Sequence, residues 1–213
     1  MDLLEHPNGY YYHPTAKIGE GIKIGEGVII EEEAKIGDGV IVGEGTIIRN
    51  GTTIKERARI GRNVKIGENT IISNWVMIDN YTKIGDWVIV DTRVKIGKEV
   101  NIGSHTIVSV DVAIGEGAHI GEGVEIGEGA EIGNNAIINR SLICIRNRYY
   151  LNEYCQGKVR YGCEILTFAE WYERWKEFCK KYKKSPEWFE KEILSVIEFI
   201  EYYQKINPLD KEI

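Results

Sequence analysis

The 213 residues carry 27 Lys and Arg against 33 Asp and Glu, a formal charge of −6 with a pI of about 5.4. That balance argues against general binding to a nucleic-acid backbone, and no apolar run approaches the roughly 20 residues that span a bilayer. The N-terminus, Met1-Asp2-Leu3-Leu4-Glu5, lacks the basic region and apolar core of a secretory signal, so a cytoplasmic location is expected.

Residues 1–14 hold Leu3, Leu4 and the run Tyr10-Tyr11-Tyr12. They are expected to cap the open end of the repeat that follows, since a bare first coil would present unpaired strand edges. From Thr15 to Arg146 the chain reads in sixes without insertion or deletion. Thr15-Ala16-Lys17-Ile18-Gly19-Glu20 is followed by Gly21-Ile22-Lys23-Ile24-Gly25-Glu26, and the frame holds for 22 hexads. The fourth place is Ile in 18 of them, Val at Val42, Val90 and Val108, and Cys at Cys144. The second place is always small or aliphatic. Two inward side chains two residues apart mark a short strand, and the Gly that usually follows is expected to supply the corner. Three strand-and-corner units make a triangular coil of 18 residues. Coils stacked about 4.8 Å apart enclose the Ile column, so the run predicts an all-β solenoid: a three-sided prism of about seven coils, roughly 35 Å long.

Beyond Arg146 the period stops. Tyr149–Cys155 and Val159–Ile165, separated by Gln156-Gly157-Lys158, read as a β-hairpin. Thr167-Phe168-Ala169-Glu170 has the form of a capping box, with Leu166 and Trp171 placed as a hydrophobic staple. The helix it opens carries Trp171, Trp175, Phe178 and Tyr182 on one face. Ser185-Pro186 caps a second helix bearing Trp188, Ile193, Val196, Ile197, Ile200 and Tyr203, which stops before Pro208. These stripes are read as core, packing on each other, on the hairpin or on a neighbouring subunit. The expected organisation is a cap over 1–14, a solenoid over 15–146 and a hairpin plus two-helix appendage over 147–213. The four cysteines (Cys144, Cys155, Cys163, Cys179) form no CxxC and are read as reduced thiols, although Cys155 and Cys163 flank the hairpin. The richness in Ile, Glu and Lys also suits a heat-tolerant source.

The hexad pattern resembles the left-handed parallel β-helix of the hexapeptide-repeat transferase superfamily. That resemblance implies the left hand, a homotrimer, and sites in clefts between subunits. His13-Pro14-Thr15-Ala16 is similar to a start common in bacterial acyltransferases of this class; it marks where the helix begins and carries no chemistry. Val159-Arg160-Tyr161-Gly162-Cys163, followed by Thr167 to Trp171, resembles the tails of uncharacterised phage-encoded proteins, not the helical C-terminal domain of lipid A acyltransferases.

Sorted by face, the hexads are not uniform. On the face built by hexads starting at 69, 87 and 105 the outward residues are Ile71, Ile89 and Ile107, where Lys, Arg and Glu are common elsewhere. The corner after this face loses its Gly in four successive coils, at Lys55-Glu56-Arg57, Ser73-Asn74-Trp75, Asp91-Thr92-Arg93 and Ser109-Val110-Asp111. Residues 18 apart lie one above another, so Arg57, Trp75, Arg93 and Asp111 form a column with cation–π stacking expected. On the corner before the face, Trp87 lies beneath His105. An apolar face with such edges is an interface signature, and Ile71, Ile89 and Ile107 are assigned to a trimer contact. The edges are candidates for a ligand cleft: Trp75 and Trp87 as stacking surfaces, Arg57 and Arg93 as anion anchors, Asp91 and Ser109 beside them.

Three functions stay open. One is a non-catalytic trimer that binds or sequesters a small anionic, nucleotide-like ligand in those clefts, with no cofactor. Another is an acyltransferase taking acyl-CoA or an acyl-carrier thioester. The transferases it resembles place a His just before the corner as the base, whereas here His105, in Ser104-His105-Thr106, comes one residue later. It could meet Asp91 or Ser109 only across a subunit boundary, and no loop interrupts the coils to bind an acceptor. The third is a trimeric scaffold whose tail binds a partner. His119 reads as a surface residue. No metal is expected, because the three-His spacing of the zinc-binding carbonic-anhydrase branch is absent and His6 and His13 lie at the capped end.

Overall fold

A computed structural model describes residues 3–138, 151–154, 158–161, 164–181, 183 and 185–189. They fall into two compact units, 1–141 and 142–213. The first unit opens with β1 (Leu4–Glu5) antiparallel to β2 (Tyr11–Tyr12). Two-residue strands β3–β23 then recur every six residues from Lys17–Ile18 to Ile137–Ile138. Each pairs in parallel with the strand one coil away, so Ile71 sits between Thr53 and Ile89. The strands sort into one nine-stranded and two seven-stranded sheets, the three faces of the prism. The fold is a left-handed parallel β-helix of about seven coils. The last two described hexads' successors, residues 139–146, lie outside the described residues.

The coil begins one hexad earlier than the repeat suggests. Tyr11 and Tyr12 pair in parallel with Ile29 and Ile30, and the Gly27 amide donates to the Gly9 carbonyl at 2.8 Å. Residues 9–14 therefore already form a side of the first coil, with Tyr10 buried at the second place. Only β1 folds back over its edge, and His6 stacks on Tyr10 with ring centres 4.3 Å apart.

Inside, the fourth-place isoleucines from Ile30 onward are sealed from water, with Ile30, Ile48, Ile66, Ile72 and Ile120 fully buried, while Ile18 and Ile24 near the open end are half-buried. Each such side chain contributes about 1.5–3 kcal/mol by transfer from water. Where the second place is Thr, the hydroxyl has a fixed task. Thr52, Thr70 and Thr106 donate to the carbonyls of Gly67, Gly85 and Gly121, at 2.7, 2.9 and 3.0 Å. A buried hydroxyl costs little once so bonded.

The role assigned to the periodic Gly needs correction. Fifth-place glycines such as Gly43 and Gly103 do not adopt positive φ; they are needed for close approach. A Cβ on Gly43 would lie 2.6 Å from the carbonyl carbon of Gly61, and one on Gly103 2.6 Å from the Glu122 amide nitrogen. The left-handed conformation belongs to the first place of the next hexad, as at Gly21 and Gly117, with φ of 64° and 69°.

In the second unit the expected hairpin is a three-stranded antiparallel meander: β24 (Leu151–Tyr154), β25 (Lys158–Tyr161) and β26 (Glu164–Thr167). The run Val159–Ile165 is thus split in two, with Arg160 paired to Ile165. Helix α1 (Phe168–Lys181) starts directly after Thr167. It buries Trp171 fully and Cys179 almost so, and Trp175 is half-buried. Burial pushes the Cys179 thiol above its ordinary value, with the Glu187 charge adding to the effect. Of the second helix, α2 (Pro186–Phe189) is described. Its later stripe, Cys144, Cys155, Cys163 and the side chains of Phe178 and Tyr182 lie outside the described residues.

Candidate functional site

The apolar face stands as the spacing implies. Ile71, Ile89 and Ile107 lie in one parallel register and are 36, 40 and 36% exposed. Along this face the outward column reads Lys17, Lys35, Thr53, then the three isoleucines, then Glu125.

The rims carry a feature the sequence reading missed. Ten consecutive first-place corners, from Arg57 to Asp111, hold non-glycine residues at φ between 52° and 61°. Gly51 and Gly117, on either side of this run, show that glycine fits the same corner. A residue with a Cβ pays about 1–2 kcal/mol to enter the left-handed region, and such positions cluster where a side chain has a task. Asn63, Asn69, His105 and Asp111 are of the types that tolerate the conformation best; Trp75, Tyr81 and Trp87 do not have that excuse. Trp75, Tyr81 and Trp87 are each more than half exposed. The signal was legible in the sequence as a run of hexads without a first-place Gly.

On the rim after the face, the expected four-residue column resolves into two pairs. The Arg57 guanidinium lies over the Trp75 ring at 4.8 Å. Arg93 turns away from Trp75 and grips Asp111 with two hydrogen bonds, Nε to Oδ1 at 2.7 Å and an Nη to Oδ2 at 2.9 Å. This bond and the carboxylate's charge hold the Arg93 guanidinium above its ordinary pKa. Arg93 is therefore an engaged cation, which weakens its assignment as an anion anchor. Asp91 beside it is also engaged, accepting from the Thr92 amide at 2.6 Å and the Thr92 hydroxyl at 3.2 Å. Ser109 is half-buried one coil further on.

On the opposite rim, the His105 amide donates to the Asp86 carbonyl at 2.9 Å, one coil from Trp87. No ring contact joins Trp87 to His105 among the described residues, and the His105 side chain is exposed. Its four-residue separation from Ser109 corresponds to about 13 Å of extended chain. Within one chain, then, His105 has neither Asp91 nor Ser109 as a partner. Among the described residues no three His, Cys, Asp or Glu side chains group to hold a metal ion, and no helix is long and apolar enough to cross a membrane.

Residues 111–140 match the family profile described as bacterial transferase hexapeptide (six repeats), and residues 7–91 match that of the GMPPB C-terminal domain. The prism is a hexapeptide-repeat solenoid. Among solved structures, this hexapeptide-repeat chain is similar to the UDP-N-acetylglucosamine acyltransferase from Campylobacter jejuni. The identity is 17% and the TM-score 0.49, over 80% of this chain and 78% of that one. It is also similar to LpxA, a UDP-N-acetylglucosamine acyltransferase from Bacteroides fragilis, at 20% identity and TM-score 0.37, over 98% and 87%. A GDP-perosamine N-acetyl transferase from Caulobacter crescentus shares 17% identity at TM-score 0.34, over 62% and 50%. These similarities are ones of fold. Compared with curated proteins, the chain has no match.

Proposed function

We propose that the prism is the ligand-binding unit of a homotrimer, taking a small anionic ligand with a planar ring in clefts between subunits. Ile71, Ile89 and Ile107 pack against a second copy, because an exposed apolar stripe three coils tall gains by leaving water. The two rims line the resulting cleft, Trp75 and Arg57 on one side, Trp87 and His105 on the other. The observation that carries this reading is the exposed Arg57–Trp75 stack at 4.8 Å, built on corners held at φ of 59° and 61°. A flat cation against a flat ring offers a surface on which a second ring can stack while an anionic group meets the guanidinium. A thermal-shift screen against nucleotides and CoA, followed by calorimetry on the hits, tests it. Trp75→Ala and Arg57→Ala should each weaken the binding; full affinity in both variants would end the proposal.

A second reading rests on the bacterial-transferase match over residues 111–140. It has His105 as the base that deprotonates an acceptor attacking an acyl thioester, completed by a neighbouring subunit. Free thiol released from acyl-CoA in the presence of an acceptor, and abolished by His105→Ala, would favour it over simple binding.

A further inference from the structure

Two grooves flank the N-terminal half of the same face, before the isoleucines begin. The larger, about 520 Å³, is lined by Lys17, Lys35, Thr53, Lys55, Glu56 and Asn74 together with strand backbone. The smaller, about 480 Å³, runs along the other side of the column past Thr15, Glu33 and Asn69. Lys17 and Lys35 stand between them and line both. Parallel register sets Lys17 directly against Lys35, with Thr53 next in line.

Like charges on facing strand positions repel, so such a pair gains from a bound anion. Elsewhere in the prism Arg93 meets Asp111 at 2.7 Å, Lys98 meets Glu99 at 3.0 Å and Arg62 meets Glu44 at 3.9 Å, while Lys65 and Lys83 show no ion pair among the described residues, so it is the groove that sets the N-terminal lysines apart. Lys17, Lys35 and Lys55 form no ion pair among the described residues, in a chain with 33 acidic side chains to 27 basic. The larger groove gathers three lysines against one glutamate, Glu56. Lys55 also sits at a fifth place, where one coil earlier a Cβ added to Gly37 would lie 2.9 Å from the Glu56 amide nitrogen, so here a long side chain replaces the usual glycine at the groove wall.

We propose that this groove is an anion site for the phosphate chain of an oligophosphate, bound by Lys17, Lys35 and Lys55. Lysine ammonium groups suit phosphate as point charges on flexible stems, with three donors each. The groove joins the rim already described, since Lys55 lies two residues before Arg57 in one corner. A nucleoside polyphosphate would lay its base on Trp75 and its phosphates along the lysines; a free polyphosphate would use the lysines alone. The lysine site extends the proposed function and rests on it only for the base.

Calorimetry with inorganic tripolyphosphate, and in parallel with ATP, tests the site on the full chain. Tripolyphosphate should bind, weakening steeply with salt, and Lys17→Ala and Lys35→Ala should each cost about tenfold, the ratio one charge-assisted hydrogen bond supports. Lys65 and Lys83 form a facing lysine pair on another face and serve as the control. Lys65→Ala and Lys83→Ala should leave the affinity within twofold. No saturable binding, or an equal loss on Lys65→Ala, would overturn the site, as would lysines already covered by carboxylates of a second copy. ATP should bind more tightly than tripolyphosphate, and Trp75→Ala should remove that advantage. An ATP advantage that survives Trp75→Ala would refute the stacking rim while leaving the lysine groove intact.

Discussion

Replacing Trp75 in two ways separates its two roles. Trp75→Ala and Trp75→Gly both delete the ring that Arg57 covers at 4.8 Å. Each therefore loses the same stacking energy, about 0.5–1 kcal/mol for an exposed pair. They differ in the backbone: residue 75 has φ of 61°. Alanine keeps the Cβ and with it about 1–2 kcal/mol of left-handed strain. Glycine removes the strain but gives back about 0.4–1 kcal/mol through its freer unfolded chain. The net expectation is that Trp75→Gly exceeds Trp75→Ala by about 1 kcal/mol, a difference of about 2–4 °C in melting temperature for a chain of this size. Urea unfolding followed by circular dichroism would measure it. Both variants should lose ligand equally, so the glycine variant recovers stability without recovering function. Equal stability of the two, or a more stable alanine variant, would refute the claim that this corner holds its side chain against strain.

At the fifth place the opposite rule applies. Gly43→Ala should cost about 1–3 kcal/mol by overpacking against the next coil, whose backbone a Cβ would meet at 2.6 Å, measurable in the same urea titration. Gly21→Ala, with φ of 64° and nothing within 4 Å of the new Cβ, should cost only the strain, about 1 kcal/mol. Burial, and then the neighbouring Tyr12, raise Tyr10 above the ordinary 10.0. The folded state thus favours the neutral phenol, so stability present below pH 10 is lost as pH rises through the higher folded value. Absorbance at 295 nm should show one tyrosine ionising late, and Tyr10→Phe should remove the late step. The buried Cys179 thiol, also held above its ordinary value, should react slowly with a disulfide reagent until the tail is unfolded.

The repeat was the legible part. An Ile at every sixth position leaves no other way to bury a continuous column than a stack of short parallel strands, so faces, register and core followed from counting. The same counting brought Ile71, Ile89 and Ile107 onto one face and Arg57 against Trp75. It could not say which way a long side chain turns: Arg93 had a ring on one side and a carboxylate on the other, and the charge won. Nor could it tell a glycine needed for close packing from one needed for positive φ, because both appear as Gly two residues apart. The first coil was misplaced because Gly-Tyr-Tyr-Tyr-His-Pro fills a hexad with tyrosines where the pattern calls for Ile. In the tail, the run Val159–Ile165 read as one strand, and the pairing of Arg160 with Ile165 divides it between two.

The most direct test of the shared-cleft proposal is the mass of the native protein by sedimentation equilibrium, for wild type and Ile89→Lys. The wild type should sediment at three times 24.2 kDa, about 73 kDa, and the charged variant should fall to the single-chain mass while keeping its β-helix by circular dichroism. A wild-type chain that stays at 24.2 kDa at every concentration would contradict it, because Ile71, Ile89 and Ile107 would then face water and no cleft would exist between copies.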